Sequence, residues 1–511
     1  MLEKRLRFAP SPTGPLHIGG LRTALYNYVI SKNQKGKFIL RIEDTDLNRF
    51  DKKAEKHIND SLEWCGIIPD ESPKNPGKFG PYRQSERKSI YNKHIKKLIE
   101  NGKAYFAFDS TEALDQARKE KEKKGETFIY NWENREKFQN SLSLDEGTYR
   151  KFLEEKNYVI RFKSYDKSFN NDSILIEDQI RGKIKVDLKL LDDKILFKND
   201  SMPTYHLANV IDDHLMKISD VVRGEEWLPS LALHWQLYES FGWNKPNFAH
   251  LPLILKPTGK GKLSKRDGQK FGIPVYPISW SDNDITFEGF KEIGFEKEAF
   301  INFISMIGWN PGNEKEIFEL DELINQFTIE RIIKSGAKYD YEKAKWFNIE
   351  HIKKISDKIL IVELQDEIKE RFEDIIDSKK IKNIIEIVRD RVIFRRDIIN
   401  EIKIIIEYNL LELKENISKI NLSKDLIELL VLFKNEIKKN KSTQILKNFY
   451  TNKLSQKEIK IGDGMKALRL CISGKVSGAD LFSQINFIKN EILIQRINNS
   501  LKTINDKNWN S

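Results

Sequence analysis

The sequence predicts a multidomain protein. An open parallel α/β nucleotide-binding fold in two halves is interrupted by an α+β insertion and followed by an all-helical C-terminal region. Three observations predict this. Residues 6–46 read as strand, helix and strand, with polar loops after both strands. A second apolar strand, Val221-Val222, is again followed by a polar run and a helix. From about residue 295 onward, apolar residues recur almost without interruption at the three- and four-residue spacing of helices.

Leu6 to Ala9 reads as a short apolar strand, and Pro10, Pro12, Gly14 and Pro15 deny it a regular continuation. From His17 the period turns helical, through Ile18, Leu21, Leu25 and Tyr28. A helix that starts just after a strand points free N–H groups and its positive end into the loop. Gly19 and Gly20 carry no side chain, so a flat ring or a phosphate can approach the backbone there. Strand 38–42 leads into the acidic run Glu43-Asp44-Thr45-Asp46. Ligands of open parallel sheets bind at the carboxyl ends of strands, which places both loops on one nucleotide site.

The string Arg7-Phe-Ala-Pro-Ser-Pro-Thr-Gly-Pro-Leu-His-Ile-Gly-Gly20, followed by Arg41-Ile-Glu-Asp-Thr-Asp46, resembles the start of glutamyl-tRNA synthetases. These are class I aminoacyl-tRNA synthetases of the Glu/Gln group. Their nucleotide domain is Rossmann-like, and residues 1–102 match its first half. His17-Ile-Gly-Gly20 stands where the class has His-Ile-Gly-His. Contacts ascribed to the final His do not carry over to Gly20.

Residues 51–102 read as helices. Ala54, Ile58, Leu62 and Cys65 share one face, and Tyr91, Ile95, Leu98 and Ile99 another. The segment from Pro69 to Pro81 between them is a loop. Tyr82-Arg-Gln-Ser85, also a family string, opens the second helix with Ser85 as its expected N-cap. Residues 103–202 change character, with a strand at 105–108, a charged helix at 111–124 and short strands over 157–199. In the family the equivalent insertion holds the tRNA acceptor end. Some relatives carry zinc near its start. A structural zinc takes about four N or S ligands, and Phe106-Ala-Phe108 offers no Cys or His pair, so no zinc is expected.

The second half of the nucleotide fold spans 203–256. Pro203-Thr-Tyr-His-Leu-Ala-Asn-Val-Ile-Asp-Asp-His214 reads as strand to loop, and Arg223-Gly-Glu-Glu-Trp227 precedes a helix over 228–241. Both strings resemble the family. Asp212, Asp213 and His214 read as a helix entry with local hydrogen bonds rather than as metal ligands. The resemblance makes residues 257–337 a phosphate-loop and stem-contact region. There Lys262-Leu-Ser-Lys-Arg266 matches the second nucleotide motif of the class. Two lysines with glycines before them suit a loop that closes over a triphosphate. Residues 267–286, longer than in the family, read only as a surface loop.

Residues 338–511 are basic and helical. Their apolar stripes include Ile352, Ile355, Ile359 and Val362, and Leu426, Leu429, Leu430 and Phe433. Such a region by itself means only Lys-rich solvated faces. In the family the C-terminal body binds the anticodon, and Gly464-Met-Lys-Ala-Leu-Arg-Leu-Cys-Ile-Ser-Gly474 resembles a segment near its end. Arg391 is aligned loosely with an Arg that reads the last anticodon base in enzymes restricted to tRNA-Glu. Whether tRNA-Gln is also charged stays open at this stage.

Composition agrees with this reading. A net charge of +11 suits a polyanionic partner. The two cysteines, Cys65 and Cys471, lie far apart and match a reducing compartment rather than a disulfide framework. No apolar run approaches the ~20 residues of a membrane span. No secretory leader is expected, since Met1-Leu-Glu-Lys-Arg runs straight into the first strand. The resemblance implies a cytoplasmic enzyme, monomeric by family default, that uses L-glutamate, ATP with Mg²⁺, and tRNA-Glu.

The implied chemistry has two steps. The α-carboxylate of glutamate attacks the α-phosphorus of ATP, and the resulting glutamyl-adenylate passes its glutamyl group to a ribose hydroxyl of the tRNA. Neither step requires a protein nucleophile. The resemblance gives catalytic roles to His17, Lys262 and Lys265. It gives ATP contacts to His17, Gly19, Gly20, Glu226, Lys262, Ser264 and Lys265. The glutamate pocket comprises Arg7, Ser11, Glu43, Tyr205, Asn209 and Arg223. Arg7 and Arg223 also admit a plainer role as partners of carboxylates such as Asp44 or Glu226. A glutaminyl-tRNA synthetase is disfavoured by the helical tail, because those enzymes typically end in β-barrels. The short relative that glutamylates a modified tRNA base lacks the anticodon body. A non-catalytic RNA-binding paralogue is disfavoured by the intact nucleotide motifs.

Overall fold

The computed structural model describes residues 3–507 apart from 47, 48, 156, 169, 170, 201, 283, 284 and 421. Met1 and Leu2, which begin the expected leaderless start, lie outside the described residues. The chain divides into two compact units, Met1–Phe347 and Asn348–Ser511.

The first unit is built on a six-stranded sheet. β1 (Arg5–Phe8) leads through α1 (Ile18–Asn33) to β2 (Lys37–Leu40), and α2 (Lys52–Trp64) and α3 (Lys88–Glu100) follow. The inserted chain contains β3 (Ala104–Ala107), α4 (Thr111–Glu122), α5 (Glu146–Glu154) and β4 (Val159–Phe162), then β5 (Ser173–Asp178), β6 (Gly182–Asp187) and β7 (Ile195–Phe197). The chain returns through α6 (Tyr205–Leu215), β8 (Asp220–Gly224), α7 (Leu231–Ser240) and β9 (Asn247–Leu251), and α8 (Lys265–Phe271) comes after them. The sheet order is β2-β1-β8-β9-β5-β6. All neighbours are parallel except the antiparallel β5–β6 pair. β1 is buried along its whole length, and β8 up to Gly224, as strands covered on both faces are. Strand order reverses between β1 and β8, so their carboxyl ends open the crevice where such sheets bind ligands.

The insertion does two things. β3, β4 and β7 form a separate antiparallel sheet, while the hairpin β5–β6 extends the main sheet beside β9. The separate sheet closes over a buried carboxylate. Asp193 accepts hydrogen bonds from Tyr105 Oη at 2.6 Å and Ser164 Oγ at 2.6 Å, and Arg135 Nε lies 3.1 Å away.

Several local expectations change. Residues 205–215 form a helix rather than strand and loop. Leu207, Ala208 and Ile211 bury one face of it, and Pro203 stops the preceding extended segment, which bridges Phe197. The helix expected over 228–241 begins as a 3-10 turn over Glu225–Ser230, with Pro229 inside it, and becomes α-helical only at Leu231. Ser85 does not cap α3, whose N-cap is Arg87. Its backbone N–H and its Oγ bind the two oxygens of Asp44 at 2.8 and 2.7 Å. Segment 267–286 is not a featureless loop. It contains most of α8 and part of a hairpin, Trp280–Asp282 with Ile285–Phe287, and it buries Val275 and Tyr276.

The second unit is helical around one apolar core. Leu426, Leu429, Leu430 and Phe433 are buried in it, as the stripe over helix Lys424–Ile437 required. The stripe through Ile359 and Val362 does not hold: those two side chains are exposed. A helix ends at Lys354 and a new one begins at Asp357, which resets the phase. Leu360, Leu364, Ile368 and Phe372 face the core instead. Among the described residues no helix is long and apolar enough to cross a membrane.

Asp212 ties α6 to α3 and to the segment before it. Its carboxylate accepts from Arg87 Nε at 2.7 Å, Tyr91 Oη at 2.8 Å and Gln84 Nε2 at 2.9 Å, all buried. Removing it strands a buried guanidinium. Asp212→Ala should lower the stability of the first unit by about 3–5 kcal/mol, seen as an earlier urea midpoint of the full chain. An unchanged midpoint would mean that these donors find other acceptors.

Candidate active site

A cavity of about 570 Å³ opens at the carboxyl ends of β1 and β8. It gathers His17, Gly19, Gly20, Glu226, Lys262, Ser264 and Lys265 with Arg7, Ser11, Glu43, Tyr205, Asn209 and Arg223. Arg391 belongs to the second unit, where it is exposed in the turn after helix Ile381–Arg389.

At one end, His17 is the N-cap of α1. Its Nδ1 accepts from Gly19 N at 3.1 Å, so the proton sits on Nε2. Nε2 is buried and has no hydrogen-bond partner among the described residues. Burial, with Lys262 and Lys265 nearby, pushes the imidazole down to about 4. His17 is therefore a neutral donor with an unmet hydrogen bond, a suitable group for a phosphate oxygen. Lys265 begins α8, whose N-cap Ser264 is locked by Asp267 in a reciprocal capping box. Lys265 makes no ion pair among the described residues, and burial pushes its ammonium below the ordinary range. A Cβ on Gly14 would meet its Nζ at 2.7 Å, so that glycine leaves room for the lysine. Lys262 Nζ pairs with Glu226 Oε1 at 2.8 Å. Both side chains are exposed, so the pair is weak and easily exchanged for a phosphate.

The other end is a buried charge network. Arg7 donates through Nε and Nη2 to Asp213 at 3.0 and 3.2 Å. Arg41 donates to Asp213 at 2.6 Å and to Glu43 Oε1 at 3.0 Å, and Asn209 Nδ2 reaches the same Oε1 at 3.1 Å. The plainer role weighed for Arg7 is thus partly realised, with Asp213 rather than Asp44 or Glu226 as the partner. Arg7 still lines the cavity. Burial raises the Glu43 carboxyl, while Arg41 and Arg7 oppose the shift.

Arg223 differs from both. It is buried, and its partners among the described residues are His250 Nε2 at 3.0 Å, Tyr205 Oη at 3.1 Å, His234 Nδ1 at 3.2 Å and the Trp227 carbonyl at 3.4 Å. All four are neutral. Burial and the nearby Arg223 hold the His234 imidazole well below its ordinary range. A buried guanidinium without a carboxylate calls for an anionic ligand.

Sequence reasoning missed Asp213 and Arg41 as partners of the pocket's charged residues, His234 and His250 as the rings behind Arg223, and Arg22 as part of the lining. Arg22, on α1, donates to the carbonyls of Ile307 and Pro252 beside the cavity. His250 carried a usable signal, being a polar residue near the end of an apolar strand, Phe248-Ala-His-Leu251.

Comparison with known proteins then gives a family. The model for the catalytic domain of class I tRNA synthetases (E and Q) matches residues 3–346, and the model for an anticodon binding domain matches residues 358–501. A glutamate–tRNA ligase from Christiangramia forsetii is 47% identical over 98% of this chain and 99% of its own length. One from Flavobacterium psychrophilum is 46% identical with the same coverage. A crystal structure of a glutamate–tRNA ligase from Elizabethkingia meningosepticum, in complex with its amino acid, superposes with a TM-score of 0.88. It is 44% identical over 98% of this chain and 100% of that one.

His17 should stay neutral where a solvated histidine titrates. The unfolded chain protonates it near 6.5, the folded one only near 4. The unfolded state therefore binds more protons over this range, and His17 removes stability as pH falls from 6.5 toward 4. Nitrogen NMR of the folded chain should show a neutral Nε2–H imidazole down to pH of about 5. An inflection near 6.5 would show a solvated ring.

Proposed function

We propose how this chain works from one premise: it belongs to the class I tRNA synthetases of the E and Q group. It is an ATP-dependent ligase that joins L-glutamate to tRNA through a glutamyl-adenylate. Relatives of the same name span the whole chain, including its helical C-terminal unit. That excludes the short base-modifying relative and weighs against a glutaminyl enzyme.

The observation that carries the site assignment is Arg223, a buried guanidinium whose partners among the described residues are all neutral. The glutamate side-chain carboxylate supplies the missing charge. Arginine stays protonated at any working pH and grips a carboxylate with two parallel hydrogen bonds. Glutamine would place an NH₂ against that guanidinium. Arg7 supports the same end of the substrate, with Nε and Nη2 fixed on Asp213. Glu43, held through Oε1 by Arg41 and Asn209, faces the α-amino group. Ser11 and Tyr205 close the pocket.

ATP lies toward the other end, with its adenosine over Gly19 and Gly20 and its phosphates toward His17 and the 262–265 loop. His17 donates from Nε2. Lys262, released from Glu226, and Lys265 neutralise the charge that grows on the phosphates during attack. Catalysis is positioning and electrostatic stabilisation, with no covalent enzyme intermediate. Among the described residues no cluster of three or more His, Cys, Asp and Glu is placed to hold a metal ion. Mg²⁺ would arrive on ATP, liganded mostly by phosphate and water, and would shield phosphate charge. Arg391, exposed in the second unit, is assigned to the anticodon of tRNA-Glu. The protein works in the cytoplasm as a monomer.

The direct test is release of pyrophosphate from ATP that depends on both glutamate and tRNA. Equal release with glutamine would overturn the amino-acid assignment. Arg223→Gln should lower kcat/KM for glutamate on the order of a thousandfold, since it removes a buried charge partner, and should leave KM for ATP near normal. Lys265→Ala should act differently. Losing one contact that strengthens in the transition state costs ~3 kcal/mol, or about a hundredfold in kcat, with glutamate KM little changed. A variant that raised only the glutamate KM would move Lys265 out of the phosphate loop's chemistry.

A further inference from the structure

Arg223 is held from behind by a carboxylate–imidazole pair. His250, on β9, is fully buried, and its Nε2 accepts from Arg223 Nε at 3.0 Å. Its Nδ1 lies 2.6 Å from Asp178 Oδ2. Asp178 is the last residue of β5, in the inserted chain, and is itself buried. Its other oxygen, Oδ1, accepts from the backbone N–H groups of Arg181 at 2.8 Å, Ile180 at 3.0 Å and His250 at 3.3 Å.

Proton positions follow from this geometry. Arg223 Nε–H can only donate, so His250 Nε2 must present a lone pair. An ionised Asp178 can only accept, so His250 Nδ1 must carry the proton. The carboxylate selects the one imidazole tautomer that can hold the guanidinium. It also places its negative charge one ring-width from Arg223 rather than on it. A carboxylate bonded directly to Arg223 would orient the side chain equally well, but it would neutralise the charge that the substrate must meet. Burial keeps the imidazole below its ordinary range, and Arg223 pushes the same way, so the ring stays a neutral link.

We propose that Asp178 and His250 are positioning residues for glutamate: the pair fixes the acceptor tautomer of His250 and thereby aims an uncompensated Arg223 guanidinium at the substrate carboxylate. This rests on the reading of Arg223 given above. It adds that a residue of the inserted chain sets affinity for the amino acid.

Asp178→Asn is the test, made in the full-length enzyme. The asparagine keeps an oxygen for the three backbone donors but turns an NH₂ toward His250, favouring the wrong tautomer. KM for glutamate should rise at least tenfold with KM for ATP unchanged. Nitrogen NMR should show the His250 proton moving from Nδ1 to Nε2. A second pair of variants serves if Asp178→Asn does not fold. His250→Leu, without an acceptor, should raise glutamate KM in the same way. His250→Gln, whose amide oxygen can take the bond from Arg223, should recover most of the affinity. A merely structural role would lower kcat and thermal stability without separating the two substrates. In an Arg223→Gln background, Asp178→Asn should add no further loss, because both act through one contact. A folded Asp178→Asn enzyme with glutamate KM within twofold of wild type overturns the proposal, as does equal KM for the two His250 variants. If Arg223→Gln itself left glutamate KM intact, the pocket assignment would fail instead.

Discussion

The interaction on which the rest of the active centre depends is the buried carboxylate of Asp213. It sits on α6 and takes hydrogen bonds from Arg7 on β1 and from Arg41 just beyond β2. Three separate segments of the chain are thereby fixed to one oxygen pair with no exposure to water. Burial alone would raise this carboxyl, but Arg7 and Arg41 more than offset it and hold it below the usual carboxylate range. Ionised Asp213 contributes its bonds above the unfolded aspartate range and loses them only in strong acid. Arg41, held there, in turn orients Glu43. In the proposed reading, the groups assigned to substrate form the outer layer of a polar core, with Asp213 and Arg41 as its inner layer.

That arrangement explains how the site concentrates positive charge without collapsing on itself. Around the proposed amino-acid end, Arg7 and Arg41 share Asp213, and Glu43 answers Arg41 again. Arg223 is surrounded by histidine rings, a phenol and a carbonyl. In such a low-dielectric setting a surplus charge is costly alone and strongly attractive to the right ligand. The phosphate end follows a looser version of the same rule. Lys265 has no anionic partner among the described residues, while Lys262 keeps a solvent-screened one in Glu226. Selectivity needs the tight version. Phosphate chemistry, in which the ligand brings several charges and then leaves, suits the loose one.

Much of this was legible in the sequence, and the misses have physical causes. The predicted residues of the catalytic site converge on one cavity because the strings that carry the family resemblance lie at or just after the ends of β1, β2 and β8, at the start of α1, on α6 and in the loop that leads into α8. His17 at the N-cap of α1 is the plainest case. What could not be read were partners that meet only in three dimensions. Nothing local marks Asp213 as the mate of Arg7, more than 200 residues away, and Asp212-Asp213 looks the same whether it caps a helix or anchors arginines. The misread stripe at Ile359 and Val362 arose because Ser356 starts a new helix whose phase differs from the one before. Segment 267–286 defeated periodicity because its α8 is only seven residues long and its hairpin strands three each.

The edge hairpin β5–β6 bears on how such an enzyme can be rebuilt. A segment interrupting a nucleotide fold invites exchange between relatives as a self-contained cassette. Here the cut would remove the hairpin that pairs with β9 through Asp178 and Phe248, leaving β9 as an edge strand open to pairing with another chain. The same cut would take away Asp178 and, with Arg181, the bond to Glu225 beside the nucleotide loop. Grafts that respect the structure would leave 173–187 with the host and exchange only the part built around Asp193.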